Sequence, residues 1–110
     1  MKVPNADGAV VDIRKLTDYC FSHEHPRGKH KARVFLSALG MTSAHAVELR
    51  DTLLQTVRSD DCTLGSVDEY GARYIVDFNY VKGEREAMVR STWIIKSGES
   101  EPHLTSCFVL

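Results

Sequence analysis

The chain has 110 residues, 43% of them apolar and 26% charged, with a formal net charge of −1. A chain of that size buries roughly two-thirds of its unfolded surface, so residues 1–110 are read as a single domain and general disorder is excluded. The pI of about 6.5 departs from the basic balance usual in nucleic-acid binders, so any contact with a polyanion has to come from a local basic patch.

The three cysteines, Cys20, Cys62 and Cys107, are an odd set with no apolar leader behind Lys2, and are read as free thiols in a reducing cytoplasm. No run approaches the ~18 apolar residues of a membrane span.

Residues Met1 to Gly8 read as an extended lead-in, because Pro4 and Gly8 oppose helix. Ile13, Leu16, Tyr19 and Cys20 then share one face at helical spacing and predict a first helix. Pro26 and Gly28 interrupt it. A second helix is predicted from about Lys29 to Leu39, with Ala32, Phe35, Leu36 and Leu39 on its apolar side and Gly40 placed to end it. Thr42 or Ser43 caps a third, whose apolar stripe is Ala46, Val47, Leu49, Leu53, Leu54 and Val57.

The apolar period changes to two after Asp61. Cys62–Val67 reads as a weak strand, and Tyr70-Gly71 as a turn. In the next strand Tyr74, Val76, Phe78 and Tyr80 alternate with Arg73, Ile75, Asp77 and Asn79. After the turn Lys82-Gly83-Glu84, Val89, Ser91, Trp93 and Ile95 alternate with Met88, Arg90, Thr92 and Ile94. In the last strand Leu104, Phe108 and Leu110 alternate with His103, Thr105, Cys107 and Val109. The expected fold class is α+β, with two to three N-terminal helices packed on one face of a four-stranded antiparallel meander. Tyr74, Phe78, Trp93 and Phe108 are expected to meet the helices.

That alternation leaves Arg73, Asp77, Asn79, Arg90, Thr92, His103 and Thr105 on the other face. Phosphodiester cleavage needs a proton relay and a fork for phosphate oxygens, which histidine and arginine supply. The same pattern also describes a merely hydrated sheet surface. The stretch His23-Glu24-His25-Pro26-Arg27-Gly28-Lys29-His30-Lys31-Ala32-Arg33 holds four Lys/Arg and three His against one acid. Its helix start would attract a phosphate backbone, and it equally suits a solvated charged loop. Cys20, His23, His25 and His30 are ligand types for zinc, but their spacing matches no zinc motif, and neither metal nor cofactor is assigned. Cys20 near His23 is a conceivable nucleophile, although a cysteine on an apolar stripe belongs more naturally to a core.

Lys15-Leu16-Thr17-Asp18-Tyr19, Glu24 to Phe35, Tyr74-Ile75-Val76-Asp77, Val89 to Ile95 and Pro102-His103-Leu104-Thr105-Ser106 together resemble an uncharacterised bacterial family, domain-of-unknown-function family 6883. The resemblance brings no activity. It implies a gene lying beside another small gene, hence a toxin–antitoxin-like pair with a small protein partner. The order of helices and meander more loosely resembles barnase, colicin-type RNases and RelE-like toxins, which implies metal-independent RNA cleavage. On that reading the chain is an endoribonuclease toxin with an RNA substrate. His30 or His103 is the general acid or base, Arg90 stabilises the phosphate, and Thr92 and Thr105 add hydrogen bonds. Lys29, Lys31, Arg33 and Arg73 hold the RNA. The alternative is a non-catalytic module that binds the neighbouring gene's product through the same surfaces.

Strand periodicity makes one expectation that coordinates decide. Arg90, Thr92 and Thr105 should share a sheet face, with Trp93 opposite and against the helices. Arg90 facing the helices would refute it.

Overall fold

The computed structural model describes residues 1–110. Three helical segments come first: a single π-helical turn at Leu16–Cys20, α1 at Gly28–Leu39 and α2 at Ala46–Ser59. Two short 3₁₀ turns, Ala6–Gly8 and Ser43–His45, punctuate them. Strands β1 (Thr63–Asp68), β2 (Gly71–Lys82), β3 (Arg85–Lys96) and β4 (His103–Val109) follow, paired antiparallel in the order β1-β2-β3-β4. This is the α+β meander that the change of period predicts.

The helices form where the apolar spacing puts them. Ala32, Phe35 and Leu39 are buried from α1, and Ala46, Leu49, Leu53 and Val57 from α2. Burying each large side chain is worth roughly 1.5–3 kcal/mol. Leu36 and Val47 lie outside these narrower stripes and are exposed. Gly40 ends α1 in the left-handed region at φ 65°, which lets its N–H reach the Leu36 carbonyl at 2.9 Å. The Thr42 hydroxyl accepts from the Ala44 amide and His45 Nδ1 from the Thr42 amide, so a reciprocal cap opens the second helical pair.

One sheet face packs on the helices. Tyr74, Val76, Phe78 and Tyr80 of β2 and Val89, Ser91 and Trp93 of β3 are all buried there. Ser91 is the one buried polar residue of the chain, and its place is explained by its neighbours. Trp93 Nε1 donates to Ser91 Oγ at 2.9 Å, and Ser91 Oγ donates onward to the Val76 carbonyl at 3.0 Å. The serine thereby satisfies the indole N–H of the largest core side chain.

In β4 the alternation read from the sequence fails. Thr92 pairs with Ser106 but Trp93 pairs with Leu104, so Thr105 is an extra residue in β4. Beyond it the phase reverses. Cys107 pairs with Ser91 and is fully buried, whereas Phe108 pairs with Arg90 on the open face. Phe108 is therefore not the core aromatic that strict alternation predicts. The β4 edge is also partly covered. Val10 forms a parallel bridge with His103, donating to the Pro102 carbonyl at 2.9 Å and accepting from the Leu104 amide at 3.0 Å.

The Ser91 relay generates a prediction. Ser91→Ala leaves a buried indole N–H without a partner and should lower stability by about 1–3 kcal/mol in urea unfolding. A change within error would mean that Trp93 needs no acceptor.

Candidate functional site

The open face of the sheet carries Arg73, Asp77, Asn79, Arg90, Thr92, Thr105 and His103, as periodicity requires, with Trp93 on the opposite side. Thr105 stays beside Thr92 despite the bulge. Their hydroxyls lie 2.7 Å apart, and Thr105 Oγ1 donates to the Thr92 carbonyl at 3.0 Å. The two threonines thus close the gap that the extra residue opens.

The two arginines of this face are engaged by carboxylates. Arg90 forms a two-pronged pair with its cross-strand partner Asp77, through Nε at 2.8 Å and Nη2 at 2.9 Å. Arg73 Nη1 meets Asp68 Oδ2 at 2.8 Å and Ser66 Oγ at 3.3 Å. The Arg90 hydrogen bonds hold the Asp77 carboxyl below its ordinary pKa. Each pair is locally neutral, so the middle of the sheet presents little net charge.

Free cations gather instead along β4. The segment that follows Val10 passes beside the open face and brings Asp12 and Lys15 next to Ile94, Lys96, His103 and Thr105, enclosing a depression of about 180 Å³. Lys15 and Thr105 also border a wider, shallower groove of about 470 Å³ with Asp18, Tyr19, His25 and Arg27. The two hollows share a wall, so they form one continuous surface with a histidine at each end. Asp12 stays ionised, its pKa held down to about 2 by the Arg14 side chain and backbone amide, and the Arg14 guanidinium offsets its charge. Lys15, Lys96 and Arg27 make no ion pair within 4.0 Å. Against these three cations stand Asp18 and the Arg14-paired Asp12, so the groove is net positive although the chain is not.

The basic histidine-rich stretch is built into this groove. His25 Nδ1 accepts from the Arg27 and Gly28 amides, both at 3.0 Å, and the His25 carbonyl accepts from the Lys29 amide at 2.9 Å. The amides of Arg27, Gly28 and Lys29, which the sequence offers to an anion, are thus already taken. The His25 ring rests edge-on against Tyr19, centroids 4.8 Å apart. Gly28 allows this close fold-back: a β-carbon there would lie 2.0 Å from the Tyr19 carbonyl oxygen. Lys31 Nζ donates to the Tyr19 hydroxyl at 2.9 Å.

Of the other sequence candidates, His30 and Lys31 border a third hollow with Val34, Phe108 and Val109. Lys29 and Arg33 are exposed on α1. The face carries His103, Thr105, Thr92 and Arg90, but only His103 and Thr105 border one hollow; Arg90 stands opposite Phe108, farther along β3, and His30 on the helix flank. His103 Nε2 lies 4.0 Å from Glu99 Oε2. Cys20 is fully buried and His23 exposed. Burial pushes the Cys20 thiol up, which keeps it protonated and unsuited to nucleophilic attack. Sequence reasoning missed Lys15, Tyr19, Arg27 and Lys96: the crossing of Val10 against β4 carries Lys15 to His103, the pairing of β3 with β4 sets Lys96 near it, and Tyr19 and Arg27 border the adjoining hollow with Lys15.

The family described as domain of unknown function DUF6883 matches residues 2–110. The chain belongs to that family. This DUF6883 chain matches no curated protein. Among solved structures it resembles a chain of a contact-dependent growth inhibition toxin–immunity protein complex from Klebsiella pneumoniae 342, with a TM-score of 0.62 and 19% identity over 92% of this chain and 99% of that one. At that identity the likeness shows a shared fold.

The Asp77–Arg90 pair in this DUF6883 sheet makes a pH prediction. Its carboxyl titrates lower folded than unfolded, so its contribution to stability is complete above about pH 4 and is lost as pH falls through the depressed value. The gap in urea midpoint between the native chain and Asp77→Asn should be constant from pH 7 to 5 and close below. A gap that widens in acid would reverse the assigned sign.

Proposed function

We propose that this chain is a metal-independent ribonuclease, the toxin of a pair whose other member is a small protein that restrains it. The observation that carries this reading is the net-positive groove along β4, where His103 and Thr105 border one hollow with the unpaired Lys15 and Lys96. The likeness to a chain from a toxin–immunity complex fits a role in such a pair.

The chemistry follows from the residue types. The 2′-hydroxyl of the RNA attacks its neighbouring phosphorus, forming the O2′–P bond as the P–O5′ bond breaks. The products are a 2′,3′-cyclic phosphate and a 5′-hydroxyl. His103 takes the proton from the 2′-hydroxyl and returns it to the departing 5′-oxygen, since imidazole serves as both base and acid near neutral pH. Lys15 and Lys96 offset the charge that builds on the phosphorane. Arg90, held by Asp77 and farther along β3, would meet a neighbouring phosphate of the strand rather than this phosphorane. Thr92 and Thr105 hold the bulge that sets His103 in place. Lys31, Lys29 and Arg33 steer the backbone, as does His30 at the far end. Ammonium groups supply the positive charge here.

A second reading is a protein-binding module without catalysis. It is favoured by the engagement of both Arg73 and Arg90 with aspartates, which leaves neither guanidinium free for phosphate.

Purified chain should cleave total RNA in EDTA and leave 5′-hydroxyl ends. His103→Ala, checked for native folding by circular dichroism, should cut the rate by about 10²–10⁴-fold. Intact RNA, together with a stable complex with the adjacent gene's product, would replace the toxin reading with the second one.

A further inference from the structure

Phe108 is an aromatic ring that the core does not use. It stands outside the apolar cluster, half-buried, on the open face opposite Arg90. With Val34, Val109, His30 and Lys31 it borders a shallow hollow of about 230 Å³, the most apolar of the three along β4. Val34 adds an aliphatic wall that is 40% exposed.

Cations bracket this ring. Lys31 Nζ lies 5.6 Å from its centroid and 4.9 Å from that of Tyr19, so one ammonium spans from the Phe108 hollow to the histidine groove. On the sheet side Arg90 is the cross-strand neighbour, its guanidinium held by Asp77. No carboxylate borders the hollow. An apolar side chain of a partner protein would be indifferent to these charges. A ligand with a flat apolar face and an anionic link on each side uses all of them.

We propose that Phe108 is the stacking platform of a nucleobase subsite, and that Lys31 and His30 hold the phosphates flanking that base. The subsite rests on the ribonuclease reading for its ligand class and deepens it: the substrate is single-stranded at that base, because lifting a paired base onto the ring costs its pairing and stacking. Stacking on a bare aromatic ring is tolerant of sequence, so the subsite selects strandedness more than base identity.

The test uses a 2′-O-methylated single-stranded oligoribonucleotide, which cannot be cut by 2′-oxygen attack, and an abasic oligomer of the same length and charge. The native chain should bind the base-bearing oligomer tighter, roughly 5- to 100-fold. Phe108→Leu keeps an apolar side chain but lacks the π-face, and should abolish that preference. Phe108→Trp should retain it. Equal binding of the two oligomers, a preference unchanged in Phe108→Leu, or no RNA binding with Phe108 instead covered by the adjacent gene's product would each overturn the subsite. Cleavage of unmodified RNA is followed in parallel. Cutting without base preference rejects the subsite and keeps the ribonuclease. Base preference without cutting does the reverse.

Discussion

The extra residue in β4 is the constraint on which the candidate site depends. Without it, the register that starts at Ile94–His103 would run on to put Cys107 opposite Arg90 and Phe108 into the core. With it, Cys107 fills the core beside Ser91, and Phe108 turns outward next to Arg90. The Thr92–Thr105 hydroxyl contact holds the displaced backbone in place. Bulges commonly re-aim side chains where a strand lies beside a functional surface, and this one gives β4 a polar end at His103 and an aromatic end at Phe108.

Charge follows the same division. Across β1, β2 and β3 the open face is a set of closed pairs, Arg73 with Asp68 and Arg90 with Asp77. Toward β4 the cations Lys15, Lys96 and Arg27 have no carboxylate within ion-pair distance, and Arg14 offsets the charge of Asp12 at the narrow end. A nearly neutral chain thus acquires a local positive field, which is what recognition of a polyanion requires. The field depends on Gly28 and His25, which fold the basic loop tightly onto Tyr19 and leave Arg27 facing the groove.

Much of this fold is legible in the residues. The period-two run from Arg73 to Tyr80 assigns both faces of β2, and Trp93 against Arg90 and Thr92 assigns β3, because nothing interrupts their pairing. Helices α1 and α2 follow from their apolar spacing and from Gly40 and Thr42 at their ends. The sheet-face part of the candidate site, Arg90, Thr92, Thr105 and His103, follows from the same alternation. The illegible part has two causes. A bulge carries no periodic signal, so Phe108 and Cys107 exchange faces without warning. The bridge from Val10 to His103 joins the two ends of the chain, and local pattern cannot announce it. Lys15 enters the groove through that bridge, and no local period places it beside His103.

The central claim is that nucleic acid occupies the β4 groove and not the ion-paired middle of the sheet. Backbone amide shifts of isotopically labelled chain, recorded while a short single-stranded DNA analogue of the substrate is added, test it most directly. The account predicts saturable shifts at Lys15, Tyr19, Lys96, His103 and Thr105. Shifts confined to β1 and the Asp77–Arg90 region, or none at saturating oligonucleotide, would contradict it.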